Sequence, residues 1–174
     1  YSDISYNLKI AQIYKFSQSL TDPNKMISGW QDNGTNLKTP AYYRRVLGGD
    51  GMDCAMDYSN NDIIYGEYYY GSIYKSTDNG FGFDNIVFSD GAAGTVDEEG
   101  EWVTPYILHP TNPNTMIVGK TNVYRSTNGG MNWTALGGSV ADGTGMIIGL
   151  AYCYSNPDHI YAIKRNRVFK TTDG

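Results

Sequence analysis

Two carboxylates are the side chains of this 174-residue chain with the best claim to chemistry: Asp32, in the run SGWQDNGTN (28–36), and Asp50, in LGGDGMD (47–53). A carboxyl pair roughly 5 Å apart, or about 6.5 to 9.5 Å apart, can cleave a glycosidic bond with retention or inversion. Asp32 and Asp50 are therefore the candidates for acid and base if the chain is catalytic. Around them stand groups suited to holding a ligand: Trp30, Gln31, Asp32, Asn33, Asp50, Asp53 and the cluster Tyr68, Tyr69 and Tyr70. Rings stack on apolar faces, while amides and carboxylates fix hydroxyl or N–H groups. The same residues also have a purely structural reading, in which Asp32, Asn33 and Gly34 form an Asx-type turn and the tyrosines pad an interface between sheets.

Other chemistries are excluded by residue type and spacing. Gly48, Gly49 and Gly51 lack the lysine and the following helix of a phosphate loop, and serve instead to let the chain cross between elements. Asp50, Asp53 and Asp57 match a calcium loop poorly, so no metal or cofactor is expected; calcium is the one cation they point to. Cys54 and Cys153 lie about a hundred residues apart without zinc spacing, and both read as small core residues. His109 and His159 have no nucleophile or carboxylate at a suggestive spacing and read as turn-flanking residues. A net charge of −5 with no block of Lys or Arg argues against nucleic acid as a partner. No apolar run approaches the roughly 20 residues of a membrane helix, so no transmembrane segment is expected. The chain begins at Tyr1 without a signal-like stretch, and is expected to be a processed or excised soluble piece.

The elements that position these residues are legible from repetition. The stretches IYKSTDNGFGFDNI (73–86), VYRSTNGGMNWTAL (123–136) and VFKTTDG (168–174) share one plan: apolar, aromatic, base, hydroxyl, then a Gly-containing turn, an aromatic and an aliphatic. Upstream of these lie TDPNKMISG (21–29), SNNDIIYG (59–66), TNPNTMIVG (111–119) and SNPDHIYA (155–162), each an Asx turn leading into a β-rich run. Their starts, at 21, 59, 111 and 155, are 38, 52 and 44 residues apart. A period of this length accommodates about four strands, one blade of a propeller. The 16 tyrosines and 21 glycines suit half-buried pleated strands joined by tight turns. The fold expected is all-β, a β-propeller segment of about four four-stranded antiparallel blades that is part of a larger ring. The approximate repeat units are 1–43, 44–83, 84–133 and 134–174. Tyr1-Ser2-Asp3-Ile4 and Tyr43-Arg44-Arg45-Val46 supply further copies of the phrase that follows each turn.

STDNGFGF and STNGGMNW resemble the Asp-box, or BNR repeat, Ser/Thr-x-Asp-x-Gly-x-x-Trp/Phe, of sialidases, sortilin-type receptors and xyloglucanase-like propellers. The matching positions are Ser76, Asp78, Gly80 and Phe83, then Ser126, Asn128, Gly130 and Trp133, and in the last copy Thr171 and Asp173. The second copy carries Asn128 in place of the acid, and the first unit has lost the motif. GWQDNGT, LGGDGMDCAMDYSNNDIIYGEYYYGSIYKSTDNG and GEWVTPY further resemble a subgroup of large secreted bacterial proteins. In each box the Asp or Asn oxygen is expected to accept backbone N–H groups and Gly to take a positive φ, a structural task that needs no ligand.

In an antiparallel meander of strands A to D, connections alternate between the two ends of the sheet. Asx-Pro turns (A to B) and boxes (C to D) then share one face, and the B–C turns and interblade links share the other. The candidate residues all fall on that second, variable face. The acidic insertion DGAAGTVDEEGEW (90–102) joins them there; Asp97, Glu98, Glu99 and Glu101 read as a solvated loop, and Trp102 as part of a sheet or blade interface. The expectation is a noncatalytic extracellular or cell-surface module that binds a glycan or protein ligand, its other partners being further blades of the same parent chain. The alternative is part of a xyloglucanase-like glycoside hydrolase using Asp32 and Asp50. A sialidase is disfavoured, because Arg44, Arg45, Arg125, Arg165 and Arg167 assemble no carboxylate-gripping triad.

Overall fold

The computed structural model describes residues 10–87, 96, 98–137 and 145–174. The phrase at 1–4 and the acid Asp97 lie outside the described residues. Among the described residues, fifteen strands form four separate antiparallel sheets. The first holds β1 (Ile13–Gln18), β2 (Met26–Trp30), β3 (Gly34–Lys38) and β4 (Tyr43–Leu47), in that order. The second holds β5 (Cys54–Met56), β6 (Ile64–Tyr68), β7 (Ser72–Ser76) and β8 (Asp84–Val87). The third holds β9 (Tyr106–Leu108), β10 (Met116–Gly119), β11 (Val123–Ser126) and β12 (Thr134–Ala135). The fourth has three strands among the described residues: β13 (Gly149–Tyr152), β14 (Ile160–Lys164) and β15 (Arg167–Thr171). Each strand pairs with its sequence neighbour, so every sheet is a simple meander. The fourth strands β4, β8 and β12 begin where the repeat units 1–43, 44–83 and 84–133 end, so the sheet frame is offset by one strand from the sequence frame.

The hydrophobic cores lie between sheets, and this explains the sequence of the second strands. Ile27 and Leu37 of the first sheet meet Cys54, Met56 and Ile64 of the second. Ile73 and Val87 of the second meet Tyr106, Met116 and Val118 of the third, and Ile117 and Val123 of the third meet Ile147, Ile160 and Ala162. Strands covered on both faces lose the polar alternation of a half-exposed sheet, and β10 is buried at all four positions. Each fully buried Ile or Leu contributes about 1.5–3 kcal/mol.

Turn chemistry repeats with the sheets. Asp22, Asn60, Asn112 and Asn156 each present a carbonyl to the N–H three residues on, at 2.9–3.0 Å. One position upstream of these turns also recurs: Ser19, Asp57 and His109 side chains accept backbone N–H groups two and three residues on. Cys153 occupies the corresponding place in the fourth sheet, with its thiol 3.3 Å from Ser155 Oγ. It is therefore a turn residue, unlike Cys54, which is buried; both are free thiols.

The boxes close the other turns at the same end. Ser76 Oγ donates to Asp78 Oδ1 (2.7 Å), which accepts the N–H groups of Phe81 (3.0 Å) and Gly82 (2.8 Å). Ser126 Oγ donates to Asn128 Oδ1 (3.0 Å), which accepts Asn132 N–H (2.9 Å), and Thr171 Oγ1 donates to Asp173. Gly80 and Gly130 have φ of 79° and 93°, a region closed to most side chains. Phe83 packs into the core between the first two sheets, while Trp133 Nε1 donates to the Ile86 carbonyl of the preceding sheet (2.8 Å). Bases reach forward in return: Arg44 Nη2 donates to the carbonyls of Asn79 and Gly80, Lys75 Nζ to that of Gly129, and Arg125 Nη1 to that of Gly174. The box turns thus lock each sheet to its neighbour. The same turns donate to the Asx turns of their own sheets, as in Asn79 N–H to the Asp62 carbonyl and Gly129 N–H to that of Asn114.

Candidate functional site

At the opposite end, the B–C turns and interblade links are stitched together by a repeated bond. The N–H of Gly51, Gly100 and Ile147, one in each link, donates to the carbonyl of Trp30, Tyr70 and Lys120, one in each turn region. The structure thereby brings the turn at 31–33 against the link at 48–53. Asp50 Oδ1 accepts the backbone N–H of Asp32 at 2.5 Å, and Asp32 sits at φ 58°. Asn33 Nδ2 donates to the Gln31 carbonyl (2.9 Å), so the amides serve the turn as well as facing outward. The Trp30 ring stands apart from the turn that its carbonyl serves. Its Nε1 donates to Ser28 Oγ (2.7 Å), and its ring lies 5.6 Å from that of Tyr43 on the sheet face.

The link leads on to the tyrosines. Tyr68 Oη accepts the Gly48 N–H (3.2 Å). Tyr69 and Tyr70 follow in a single 3-10 turn (Tyr69–Gly71). Tyr70 has φ 63°, a costly conformation for a bulky side chain that persists only where its surroundings over-determine it. Here they do: the Tyr70 carbonyl accepts Gly100 N–H (3.1 Å) and Lys120 Nζ (2.9 Å), and Lys120 Nζ also reaches the Gly71 carbonyl (2.8 Å). Tyr69 and Trp102 stack in parallel with centroids 5.3 Å apart, and Tyr70 meets both edge-on. All three rings are 39–47% exposed. Beside them opens a cleft of about 580 Å³ lined by Tyr68, Tyr69, Tyr70, Ser72, Tyr74, Glu98 and Glu99.

Two buried charges under this surface escape a sequence reading. Glu67, 1% exposed, accepts the N–H groups of Gly71 (3.1 Å) and Thr104 (2.8 Å) on one oxygen and of Asp53 (3.0 Å) on the other. It ties its own turn to the links on either side. Burial pushes its carboxyl well above the ordinary range, against the pull of the Thr104 and Asp53 N–H groups. Lys120 is fully buried, and burial lowers its ammonium to about 8 despite the charges of Glu67, Glu98 and Glu99. The signal for Glu67 was available in IYGEY: a lone carboxylate in an otherwise apolar and aromatic strand, whose first four positions are all buried. Of the acidic residues in the insertion at 90–102, Glu98 departs from the reading as a solvated loop. Glu98 accepts Asn122 N–H (2.9 Å), Asn122 Nδ2 (2.7 Å) and Tyr124 Oη (2.7 Å). Burial alone would raise its carboxyl, but the bonds from Tyr124 and Asn122 outweigh it and hold it below the usual range. Trp102 joins the exposed ring cluster and also donates from Nε1 to Tyr14 Oη of the first sheet (3.4 Å), so it bridges sheets as the sequence indicated.

Asp53 sits next to Glu67 with its Oδ1 on the Cys54 N–H (2.7 Å). Burial pushes its carboxyl up to about 6, offset in part by Lys15 and by that N–H. A raised carboxyl means that the folded state holds a proton the unfolded chain releases. This contribution is whole below about pH 4, declines as pH rises, and is gone above about 6. Two pH units correspond to about 3 kcal/mol. Urea midpoints taken from pH 4 to 7.5 should fall over the window from 4 to 6, and Asp53→Asn should flatten that fall, leaving the share due to Glu67. Parallel curves for the two proteins would show that Asp53 carries no such proton.

Among the described residues no three His, Cys, Asp or Glu side chains are gathered around a common centre for a metal, and no helix is long and apolar enough to cross a membrane.

No family model and no curated protein matches the sequence. Solved structures do match. The GH74 xyloglucanase of Xanthomonas campestris superposes with a TM-score of 0.69 at 10% identity, over 94% of this chain and 29% of its own. A GH74 enzyme of Niastella koreensis gives 0.61 at 15% identity, over 86% of this chain and 25% of its own. Ycf48 of Cyanidioschyzon merolae gives 0.54 at 16% identity, over 92% of this chain and 55% of its own. The chain thus spans less than a third of each hydrolase and about half of Ycf48. Likeness at such low identity speaks for architecture alone: the chain folds as a β-propeller segment with BNR-type hairpins that matches part of these larger propellers.

Proposed function

We propose that this segment is a noncatalytic binding module of an extracellular or cell-surface propeller, and that it captures a glycan or protein ligand on the face built from B–C turns and interblade links. One observation carries the reading: Tyr69, Tyr70 and Trp102 stand exposed together beside an open cleft, on a backbone held in a strained conformation by buried donors. Strain and exposed rings at one place are characteristic of a surface kept for recognition. The matched structures are compatible with either ligand class, one being a xyloglucanase and another a Ycf48 bound to D1 peptide. The surface placement is supported by the resemblance of GWQDNGT, the stretch 47–80 and GEWVTPY to large secreted bacterial proteins. A hydrolytic role for Asp32 and Asp50 has less in its favour, because Asp50 holds the Asp32 backbone and so does a turn's work. Glycan and peptide arrays probed with the chain should yield a ligand whose binding falls at least about tenfold in Trp102→Ala. Blank arrays, or a ligand indifferent to Trp102, would remove the proposal.

A further inference from the structure

The walls of the cleft narrow the ligand class, on the premise that this face is a binding surface. A pyranose ring stacks best on one flat, open aromatic face. The rings here are arranged otherwise. Tyr68 stands at 79° to Tyr74 with centroids 5.2 Å apart, and at 72° to Tyr69 at 6.4 Å. Tyr69 and Tyr70 meet at 79° and 5.8 Å, while the parallel partner of Tyr69 is Trp102, which lies outside the cleft lining. Four tyrosines at near right angles make a box with walls on several sides. Such a box surrounds a compact group better than it supports a flat one.

Charge selects the sign of that group. Aromatic faces carry negative quadrupole charge and attract cations, most strongly where water is displaced. Ser72, Glu98 and Glu99 complete the lining. Glu98 is fixed on Asn122 and Tyr124 and Glu99 is exposed. The opposing charge is the ammonium of Lys120 beneath the turn, already engaged with two backbone carbonyls and set against Glu67. Even with Glu67 protonated, two carboxylates face one ammonium.

We propose that the cleft walled by Tyr68, Tyr69, Tyr70 and Tyr74, with Glu98 and Glu99 at its margin, takes an alkylammonium group, carried on a lysine side chain of a protein partner. Free or methylated lysine offers the required chemistry: a compact cation on a slender apolar stem. A small quaternary amine shares that chemistry, and a neutral glycan does not.

The test is calorimetric titration of the intact chain with four probes: a short trimethyl-lysine peptide, the same peptide with a neutral tert-butyl isostere in place of the ammonium, tetramethylammonium, and a neutral xyloglucan oligosaccharide. The expected order places the trimethyl-lysine peptide first, with the isostere weaker by at least about tenfold, and affinity for the charged peptide falling as salt is raised. Tyr69→Leu and Glu99→Gln should each weaken the charged peptide, and Glu99→Gln, at an exposed carboxylate, should do so while leaving thermal unfolding unchanged. Equal affinity for the isostere, or no loss in either variant, overturns the proposal. Tetramethylammonium binding as tightly as the peptide overturns the protein partner. Binding of the oligosaccharide alone, lost in Trp102→Ala, overturns the cation while the binding-module reading stands; silence from all four probes ends this proposal, and the blank arrays described above would end the broader one.

Discussion

Glu67→Ala should come close to unfolding the protein. The substitution strips acceptors from the N–H groups of Asp53, Gly71 and Thr104 at once, and the methyl group that remains admits little water to a position 1% exposed. Each buried donor left without a partner costs about 1–3 kcal/mol. Three such losses come to about 3–9 kcal/mol, a range that takes in the roughly 5 kcal/mol that holds a marginal domain together, and Lys120 loses one of the carboxylates near it while Glu98 and Glu99 remain. For a chain of this length the melting temperature should drop by about 10–20 °C, or the cooperative transition should disappear. Glu67→Gln separates the hydrogen bonds from the charge. Its carbonyl can still serve Gly71 and Thr104, but its NH2 meets the Asp53 N–H donor to donor, so an intermediate loss is expected. Chemical denaturation of both variants at pH 7 measures the ranking. An alanine variant within about 1 kcal/mol of the parent would mean that Glu67 merely occupies its site and that the links are held by packing.

The parts of the molecule legible in the sequence are those set by local chemistry. Asp22, Asn112 and Asn156 before proline dictate a turn wherever they occur, and the box hydroxyls at 76, 126 and 171 dictate another. Four turns of one kind and boxes of a second kind fix the phase of the meanders. Hence the sheet order and the two unlike ends followed from spacing alone, including the meeting of 31–33 with 48–53. Residues whose role depends on a neighbouring sheet were harder to read. Glu67 is buried because links on both sides fold over it, and Tyr74 lines a cleft because Glu98 and Glu99 return from about 25 residues further on. The interval at 90–102 looked solvated because its composition is acidic, yet the Glu98 carboxylate is matched by Asn122 and Tyr124, which no local pattern pairs with it. Trp30 shows the converse limit: one position from the turn, its ring belongs to the sheet face beside Tyr43.

Gly29→Ala gives the second large effect, and its sign is the informative part. In the middle of β2 an alanine is expected to stabilise by about 0.5–1 kcal/mol through its smaller loss of backbone freedom. The fold reverses this. A Cβ at Gly29 would overlap the Met52 carbonyl oxygen and stand 2.6 Å from that of Gly51, and backbone atoms cannot rotate away as a side chain would. The link must retreat, breaking the bond from Gly51 N–H to the Trp30 carbonyl and loosening Asp50 from the Asp32 N–H. Overpacking of about 1–3 kcal/mol and two hydrogen bonds of about 1 kcal/mol each exceed the entropic gain, so a net loss of about 2–4 kcal/mol is expected. Gly48→Ala is the control within the same link, since only Tyr68 Oη lies near its Cβ, at 3.8 Å, and it should be neutral or slightly stabilising. Hydrogen exchange adds a local readout: the amides of Asp32 and Gly51 should open faster in Gly29→Ala while those of β10 keep their protection relative to global stability. A stabilised Gly29→Ala protein would show that the turn and the link do not touch, and would dissolve the surface on which the candidate residues meet.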